Sequence, residues 1–456
     1  GWPITRQDLD PYYEKAHAVC QSGPYTYRPE DWGDETAQPF PFNSSRLKTQ
    51  MFQFGPADAF LQDYRREIEQ SQNVTLCTYA TALELETDDL AQTVTHVRVG
   101  TLEGNQFWVS AKFVILAVGA LETARLLLLS NSVQKTGLGN GHDLVGRFLM
   151  DHPVVRSGLL IPQHRRVINA LSLYDMRFVD GKLITAKAAL TESTMRQEKL
   201  MNICAAFYPR PASAQFNLLR TLLPKGKRYR SSAVQSALAL KQALRQGKIP
   251  PKLLDYVGNM VGGLDDLLYF LWRQGYAARV GKTYHFDRGG WSKLDNKVEA
   301  FSCFEVINMT EQSPDPANRI VLTAEQDALG CRKPQLHWRM NDLDFASIQK
   351  AQEIFREEFS QAGLGQLKIE RDHGLPYVVF SSIHHSSGTT RMHESPTQGV
   401  VDANCKVHGV SNLFVASSSV FPTIGYANPT LTIVAIAIRV ADQIRQKIAP
   451  PSIALK

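Results

Sequence analysis

The sequence has no apolar stretch long enough to cross a membrane. Its longest apolar runs, 113–130 and 431–440, are interrupted by charged residues, whereas a spanning helix needs about 20 mostly apolar residues. It also lacks a C-x-x-C pair, a cysteine–histidine spacing suited to zinc and a charged-then-apolar targeting segment. The six cysteines are scattered, so we expect a reducing, cytoplasmic compartment and no metal site.

Neither sign of charge dominates the chain. The formal net charge is +6, with 21% charged and 43% hydrophobic residues, which is ordinary for a folded protein and argues against global disorder. Basic residues gather at 225–230 and 241–252, where a solvated helical face is favoured over a lipid or nucleic-acid patch. We therefore expect no nucleic-acid partner, and nothing in the sequence supports membrane association.

The first part of the chain predicts a covering loop followed by mixed helices and strands. Residues 1–50 are rich in Pro, Tyr, Trp and Gly and predict a loop with one helix over 8–20, which Asp8 or Asp10 caps. The elements predicted next are a helix over 57–70, a strand over 73–77 and a hairpin over 93–111.

A continuous apolar run over 113–119 predicts a strand that is buried on both faces of a parallel sheet. Gly119 then turns the chain into a helix that carries Leu126, Leu127 and Leu129. Strand, tight glycine turn and helix form half of a dinucleotide-binding unit. Because any α/β protein contains such a succession, the segment alone is weak evidence for nucleotide binding.

The middle of the chain, 151–380, predicts strands in series, which favours an antiparallel or mixed sheet. A helix-rich insertion over 213–275 interrupts them, and an amphipathic helix is predicted over 345–362. The predicted strands are 154–162, 183–190, 202–208, 298–309 and 319–323.

Asn428 and Pro429 form a clear helix start. Asn is a strong N-cap, and Pro suits the first helical position because its missing N–H would be unpaired there anyway. The free N–H groups of that first turn favour an anion, such as a reduced flavin. Taken alone, however, the segment fits a capped packing helix better.

His385 lies in a loop of small residues, 386–389, where a backbone can approach a ligand closely. Its ordinary pKa of about 6.5 makes the neutral ring available as a proton acceptor. Taken alone, a histidine in such a loop is more often a surface or hydrogen-bonded residue. The absence of a G-x-S-x-G turn argues against a serine hydrolase.

The loop at 385–389 and the helix start at 428–430 belong to an ordered series of motifs: H-S-S-G-T first and N-P-T later. The other segments in the series are 117–127, 147–153, 316–320, 399–402, 407–410, 412–416 and 419–423. Together they resemble the glucose–methanol–choline (GMC) oxidoreductases over nearly the whole chain. The motifs G-T-T-R-M and N-P-T-L-T look closest to those of the pyranose oxidase and fructose dehydrogenase branch of that family.

The resemblance implies FAD-dependent oxidation of the CH–OH group of an alcohol or sugar. His385 would remove the hydroxyl proton, and Asn428 would hydrogen-bond the substrate oxygen while hydride passes to flavin N5. The residues implied to contact FAD are Ala82, Gly119, Ala416, Ser417, Ser418, Pro429, Thr430 and Leu431. The resemblance leaves open the substrate, covalent attachment of FAD, the oligomeric state and the electron acceptor, which would be oxygen, a quinone or a cytochrome.

The sequence departs from the family pattern at several points. Ser417 and Ser418 stand where many relatives have an acidic residue or glycine, and His393 stands where glycine is usual. The family begins with a strand, a G-x-G-x-x-G turn and a helix, and this sequence contains no G-x-G-x-x-G. Residues 1–4 resemble a segment that follows that unit, so we expect the part that binds the FAD phosphates to precede Gly1.

The expected fold is α/β: a doubly wound FAD-binding domain without its N-terminal βαβ unit, interleaved with a substrate domain built on a mostly antiparallel sheet plus helices. The expected boundaries are 1–150 for the first FAD-binding part, with its covering loop at 1–50, 151–380 for the substrate domain and 381–447 for the second FAD-binding part. Two alternatives to an oxidoreductase remain: an FAD-containing lyase resembling the hydroxynitrile lyases, and an inactive remnant unable to retain FAD.

Overall fold

The structure is a computed structural model that describes residues 1–42, 45–56, 58–210, 232–245, 253–264, 267–268, 289–380 and 383–448. The strands are β1 (Leu47–Phe54), β2 (Thr81–Thr87), β3 (Val94–Gly100), β4 (Gln106–Val109), β5 (Val114–Leu116), β6 (Val154–Pro162), β7 (Arg177–Val179), β8 (Lys182–Leu190), β9 (Ile203–Arg210), β10 (Cys303–Thr310), β11 (Arg319–Gln326), β12 (Arg332–His337), β13 (Gly365–Ile369), β14 (Arg371–Asp372), β15 (Leu375–Phe380) and β16 (Leu413–Val415). The α-helices are α1 (Arg6–Val19), α2 (Tyr64–Gln70), α3 (Gly119–Leu129), α4 (Val167–Ala170), α5 (Glu192–Glu198), α6 (Ser232–Arg245), α7 (Leu253–Gly262), α8 (Lys297–Ala300), α9 (Asp342–Gln361) and α10 (Thr430–Ile448). Within these residues, no helix has both the length and the apolar character needed to span a membrane.

A nine-stranded sheet is the largest element of the fold. Its strand order is β1-β8-β9-β10-β6-β15-β14, with β13 paired to β6 and β7 paired to β8. Its pairings are antiparallel. Helix α9, which begins with a capping box between Asn341 and Asp344, packs against β13 and β15. The prediction of an α/β chain with a mostly antiparallel sheet is therefore confirmed.

A small parallel pair of strands, β5 and β16, lies apart from the large sheet. Val114 pairs with Leu413, and Leu116 pairs with Val415. Leu116 is buried, but Ile115 is 43% exposed, and within the described part of the chain β5 pairs with β16 alone. The strand predicted over 113–119 therefore exists, but the prediction that both its faces are buried is wrong, because no further layer covers the second face.

The buried apolar side chains form two main cores. One joins the large sheet to α9 and includes Trp32, Phe207 and Phe355. The other joins side chains from the first 150 residues to side chains of the last part of the chain, such as Leu127 with Phe414. The sequence segments predicted as the two FAD-binding parts thus share a core. Within the predicted covering loop, however, β1 is a strand of the large sheet.

Two local predictions differ from the structure, and a third is described only in part. Thr5 caps α1 in place of Asp8 or Asp10, because the Asp8 carboxylate is used in a capping box with the backbone of Thr5. Residues 73–77 form no strand and are exposed, since β2, β3 and β4 pair only with one another. The insertion predicted over 213–275 falls partly outside the described residues, and within its described parts α6 and α7 are helices.

Lys187 is a buried lysine in the large sheet. It lies on β8 with 9% of its surface exposed. Its ammonium donates to Sδ of Met309 at 2.9 Å and lies 4.2 Å from the centre of the Phe52 ring. Burial lowers the pKa of Lys187, and the nearby Cys204 thiol opposes that shift. Burial therefore makes the charged form of Lys187 less favourable in the folded chain than in the unfolded chain.

We expect Lys187→Met to raise the free energy of unfolding at pH 7 by about 1 kcal/mol or more, because methionine fills a similar space without a buried charge. The unfolded lysine binds a proton more readily, so wild-type stability should rise with pH towards the ordinary lysine pKa of 10.5. The variant should lose that rise. Lys182→Met on the same strand is the control, and thermal unfolding at several pH values is the measurement. An unchanged or lower unfolding midpoint for Lys187→Met would contradict the expectation.

Candidate active site

The loop that carries His385 is held between two distant segments of the chain. Ser387 and Met150 exchange two backbone hydrogen bonds of 2.9 and 3.0 Å. On the other side, the Ser418 hydroxyl donates to the carbonyl of Ser386 at 2.7 Å. The position of His385 is therefore set by contacts on both sides of it.

Gly388 permits the close packing of this loop. Its φ is +86°, and a Cβ at that position would lie 2.3 Å from the carbonyl oxygen of Phe148. A larger residue would suffer both the strained backbone and this clash. One residue further on, the Thr389 hydroxyl donates to the carbonyl of Ala120 at 2.7 Å. This hydrogen bond holds the loop against the beginning of α3.

The carboxylate of Asp151 organises the backbone around His385. Its Oδ1 accepts the N–H groups of Ile383 and His385, each at 3.2 Å, and that of His152 at 2.7 Å. Its Oδ2 accepts the Ser386 hydroxyl at 3.3 Å. Asp151 is 3% exposed, and these donors compensate for the water that a buried carboxylate loses.

The two ring nitrogens of His385 face different partners. Nε2 lies 3.3 Å from the side-chain nitrogen of Asn428. Nδ1 lies 2.9 Å from Nδ1 of His152, with the two rings nearly perpendicular at 82°. His385 and Asn428, which the sequence predicts as a functional pair, are thus in contact although they are 43 positions apart.

The start of α10 differs from the prediction by one residue. The N–H of Ile433 donates to the carbonyl of Pro429 at 2.9 Å, which places Pro429 at the cap and Thr430 as the first helical residue. Asn428 therefore lies before the cap. Its side chain contacts the His385 ring, so the sequence-based interpretation of Asn428 as the helix cap is wrong.

A cavity of about 600 Å³ opens at the start of α10 and reaches Asn428. This volume is typical of sites for small molecules. Its wall is rich in aromatic side chains, with polar groups among them; these are Arg6, Tyr13, Tyr25, Tyr27, Gln50, Phe52, Gln53, Phe54, Phe60, Asn202 and Tyr426. The Asn428 amide connects this cavity to the His385 ring.

Burial lowers the pKa values of both histidines. For His385, burial is the main cause, the Asp151 carboxylate opposes it and His384 adds to it. His152 is fully buried, and burial together with His385 lowers its pKa to about 4, against the opposing effect of Asp151. At neutral pH His152 is therefore uncharged, and a neutral His385 can accept a proton.

The C-terminal part of the chain also matches a known family. Residues 314–437, which contain both His385 and Asn428, match the family model described as GMC oxidoreductase. Residues 314–437 therefore form a GMC oxidoreductase domain. It is 26% identical over 341 residues to the fructose dehydrogenase large subunit of Gluconobacter japonicus, covering 74% of this chain and 47% of that one. It is 34% identical over 125 residues to a C-glycoside 3-oxidase of Arthrobacter globiformis, covering 27% and 23% respectively.

An FAD-dependent oxidoreductase from Chaetomium thermophilum superposes on this chain with a TM-score of 0.49 at 14% identity, over 97% of this chain and 80% of that one. The chain spans about half the length of the fructose dehydrogenase subunit that it matches, 47%. The family predicted from the motifs is confirmed for residues 314–437 by the family model.

Several of the residues that the family resemblance predicts for FAD lie together in this chain. Gly119 follows β5, and Ala416 follows β16, where its N–H donates to the carbonyl of Leu116 at 2.9 Å. Because β5 and β16 are parallel, these positions share the carboxyl edge of the pair, where nucleotides bind in such sheets. The hydroxyl of Ser417 contacts Ser419 at 2.7 Å, and that of Ser418 is used by the His385 loop.

The other predicted FAD residues fall into two groups. Thr430 and Leu431 line the cavity at the start of α10, directly after Pro429. Ala82 lies on β2, which pairs with β3 and not with β5. Strand β2 packs against α3, the helix that begins at Gly119, so Ala82 lies on an element that neighbours this edge without being paired to β5.

Sequence reasoning missed Asp151 and His152 as site residues, although it included both in a family motif. It also missed Glu311, whose carboxylate accepts the N–H of Gly425 at 3.0 Å and that of Asn202 at 3.1 Å. The sequence did offer one signal, the position of these residues next to predicted strands. Residues 151 and 152 lie just before β6, and Glu311 directly follows β10. Loops that begin or end at strands often carry functional side chains.

Within the described residues, no group of three or more His, Cys, Asp or Glu side chains is suited to a metal.

We expect His152 to lower the free energy of unfolding of the protein as the pH falls. Its pKa is about 4 in the folded state and 6.5 ordinarily, so between these values the unfolded chain binds more protons and stability decreases with decreasing pH. The full effect is about 3 kcal/mol. His152→Phe should therefore flatten the dependence of the urea midpoint on pH from 7 to 4. His408→Phe, outside this contact, should keep the wild-type slope, and equal slopes in all three proteins would contradict the prediction.

Proposed function

We propose that this chain oxidises the CH–OH group of an alcohol or sugar, with FAD as its cofactor. The observation that carries the proposal is the contact of His385 Nε2 with the Asn428 amide at 3.3 Å, beside a cavity of about 600 Å³. A hydroxyl oxygen placed at this pair would meet a proton acceptor and a hydrogen-bond donor at once. That combination suits removal of an alcohol proton.

Each residue of the pair has a distinct part in the proposed reaction. Neutral His385 accepts the hydroxyl proton at Nε2, and the resulting alkoxide character weakens the neighbouring C–H bond. The Asn428 amide donates a hydrogen bond to the same oxygen and holds it in place. Asp151 keeps the His385 backbone fixed through the N–H bond of 3.2 Å. FAD, when bound, supplies the acceptor for the electron pair of the C–H bond.

The residues at the carboxyl edge of β5 and β16 fit such a cofactor in part. Gly119 has a φ of +74°, and a Cβ built there would meet no heavy atom within 4 Å, so a ligand can approach its backbone closely. Ile115 and Val118 beside it are 43% and 50% exposed. Apolar side chains exposed to this extent beside a parallel strand support a covering layer over this face.

The names of two relatives support a sugar as the substrate, because one is a fructose dehydrogenase and the other a C-glycoside 3-oxidase. The aromatic and amide side chains of the cavity wall suit the faces and hydroxyl groups of a sugar. The electron acceptor would be oxygen, a quinone or a cytochrome. A cytoplasmic location is part of the proposal, supported by six cysteines that are all free.

His385→Ala should lower kcat by about 10²- to 10⁴-fold in an FAD-containing preparation, the range of a lost general base, while FAD remains bound. Because burial holds the pKa of His385 below 6.5, wild-type kcat/KM should fall on acidification with a midpoint below pH 6.5. Steady-state kinetics with a panel of alcohols and sugars measures both, and His408→Ala is the matched control. Unchanged turnover in His385→Ala would show that His385 is not the base.

Anaerobic addition of substrate distinguishes the oxidoreductase from a lyase on the same fold. An oxidoreductase should lose its flavin absorbance when its alcohol or sugar is added, whereas a lyase should not. If no compound of a broad panel bleached the flavin, the proposed oxidation would be wrong.

We expect residues 1–456 by themselves to purify with little or no flavin. The sequence has no G-x-G-x-x-G turn, and the helix N-terminus behind that turn provides much of the affinity for the FAD diphosphate. The ratio of flavin absorbance to protein absorbance after purification is the measurement. A yellow preparation with one flavin per chain would contradict the expectation.

A further inference from the structure

The contacts of His385 and His152 determine where the protons of both rings lie. Two Nδ1 atoms 2.9 Å apart require that one donates and the other accepts, because two lone pairs or two N–H groups would repel. The Asn428 nitrogen at 3.3 Å from His385 Nε2 can only donate. With Nε2 accepting, a neutral His385 carries its proton on Nδ1.

The same contact determines where the proton of His152 lies. Its Nδ1 accepts from Nδ1 of His385 at 2.9 Å, and its pKa of about 4 leaves the ring uncharged at pH 7. A neutral imidazole has one N–H group, so the proton of His152 lies on Nε2, which is buried and has no hydrogen-bond partner among the described residues. His152 thus presents the lone pair of Nδ1 to His385.

We propose that His152 is a positioning residue that keeps His385 in the Nδ1-protonated form, with the Nε2 lone pair directed to the substrate oxygen. The use of that lone pair rests on the proposed function, whereas the position of the proton does not. The transferred proton goes from the substrate hydroxyl to His385 Nε2, and the Nδ1 proton stays in place.

Asp151 and His152 then have separate effects on the same histidine. The Asp151 carboxylate binds the backbone N–H of His385 at 3.2 Å, while His152 binds the ring. When His385 becomes charged, its Nδ1–H bond to His152 becomes charge-assisted and therefore stronger. Full burial keeps His152 from taking a proton itself. Besides His152, the titratable groups acting on His385 are Asp151 and His384.

Nitrogen NMR tests the position of the proton without substrate or turnover. The 456-residue chain is prepared with ¹⁵N-labelled histidine, and long-range ¹H–¹⁵N correlation reports which ring nitrogen carries hydrogen; the His385 signals are assigned from their loss in His385→Ala. We expect the Nδ1-protonated form in the wild type and a mixture, or the Nε2-protonated form, in His152→Phe. His152→Asn places an amide oxygen near the former Nδ1 and should restore the wild-type form. His408→Phe should leave it unchanged.

The same variants are then compared in an FAD-containing preparation. His152→Phe should lower kcat about 10- to 100-fold, the range for groups that orient a functional histidine, with a smaller change in KM, and His152→Asn should recover most of it. An Nε2-protonated His385 in the wild type, or an unchanged form in folded His152→Phe, would overturn the proposal. A protein that oxidises no alcohol but shows the expected NMR forms would instead refute only the proposed function.

Discussion

The buried carboxylate of Asp151 is the interaction on which the site depends. It accepts the N–H groups of Ile383 and His385, which follow it by 232 and 234 positions. A carboxylate that is 3% exposed needs several donors, because leaving it unpaired away from water is expensive. The loop after β15 supplies those donors with its backbone and with the Ser386 hydroxyl. Satisfying the carboxylate therefore also determines where the His385 ring lies.

The site lies where the two cores of the molecule meet. His152 precedes β6 of the large sheet, and the His385 loop follows β15 of the same sheet. Asn428 precedes α10, which belongs to the other core through Ile436 and Val440. A contact of 3.3 Å between His385 and Asn428 thus requires both cores to be formed and in register. Neither core alone could hold the pair.

Local patterns predicted the elements whose formation depends on near neighbours. The strand over 154–162 matches β6, and the helix over 345–362 differs from α9 by a few residues. The strand predicted over 73–77 does not form, because β-propensity needs a partner strand and the neighbouring sheet offers none. Motif order likewise predicted His385 and Asn428. It could not predict His152, whose contact with His385 joins positions separated by 233 residues and depends on the folded sheet.

A neutral partner has a consequence for His385 that a carboxylate would not have. A carboxylate bonded to Nδ1 would favour the imidazolium in the resting protein, so that the ring would already be protonated near neutral pH. His152 accepts the same hydrogen bond without a charge, and burial lowers the pKa of His385. The negative charge of Asp151 is meanwhile taken up by backbone N–H groups. A neutral acceptor therefore orients His385, and the ring remains uncharged until a proton arrives at Nε2. The bond to His152 then strengthens at the moment when the charge appears.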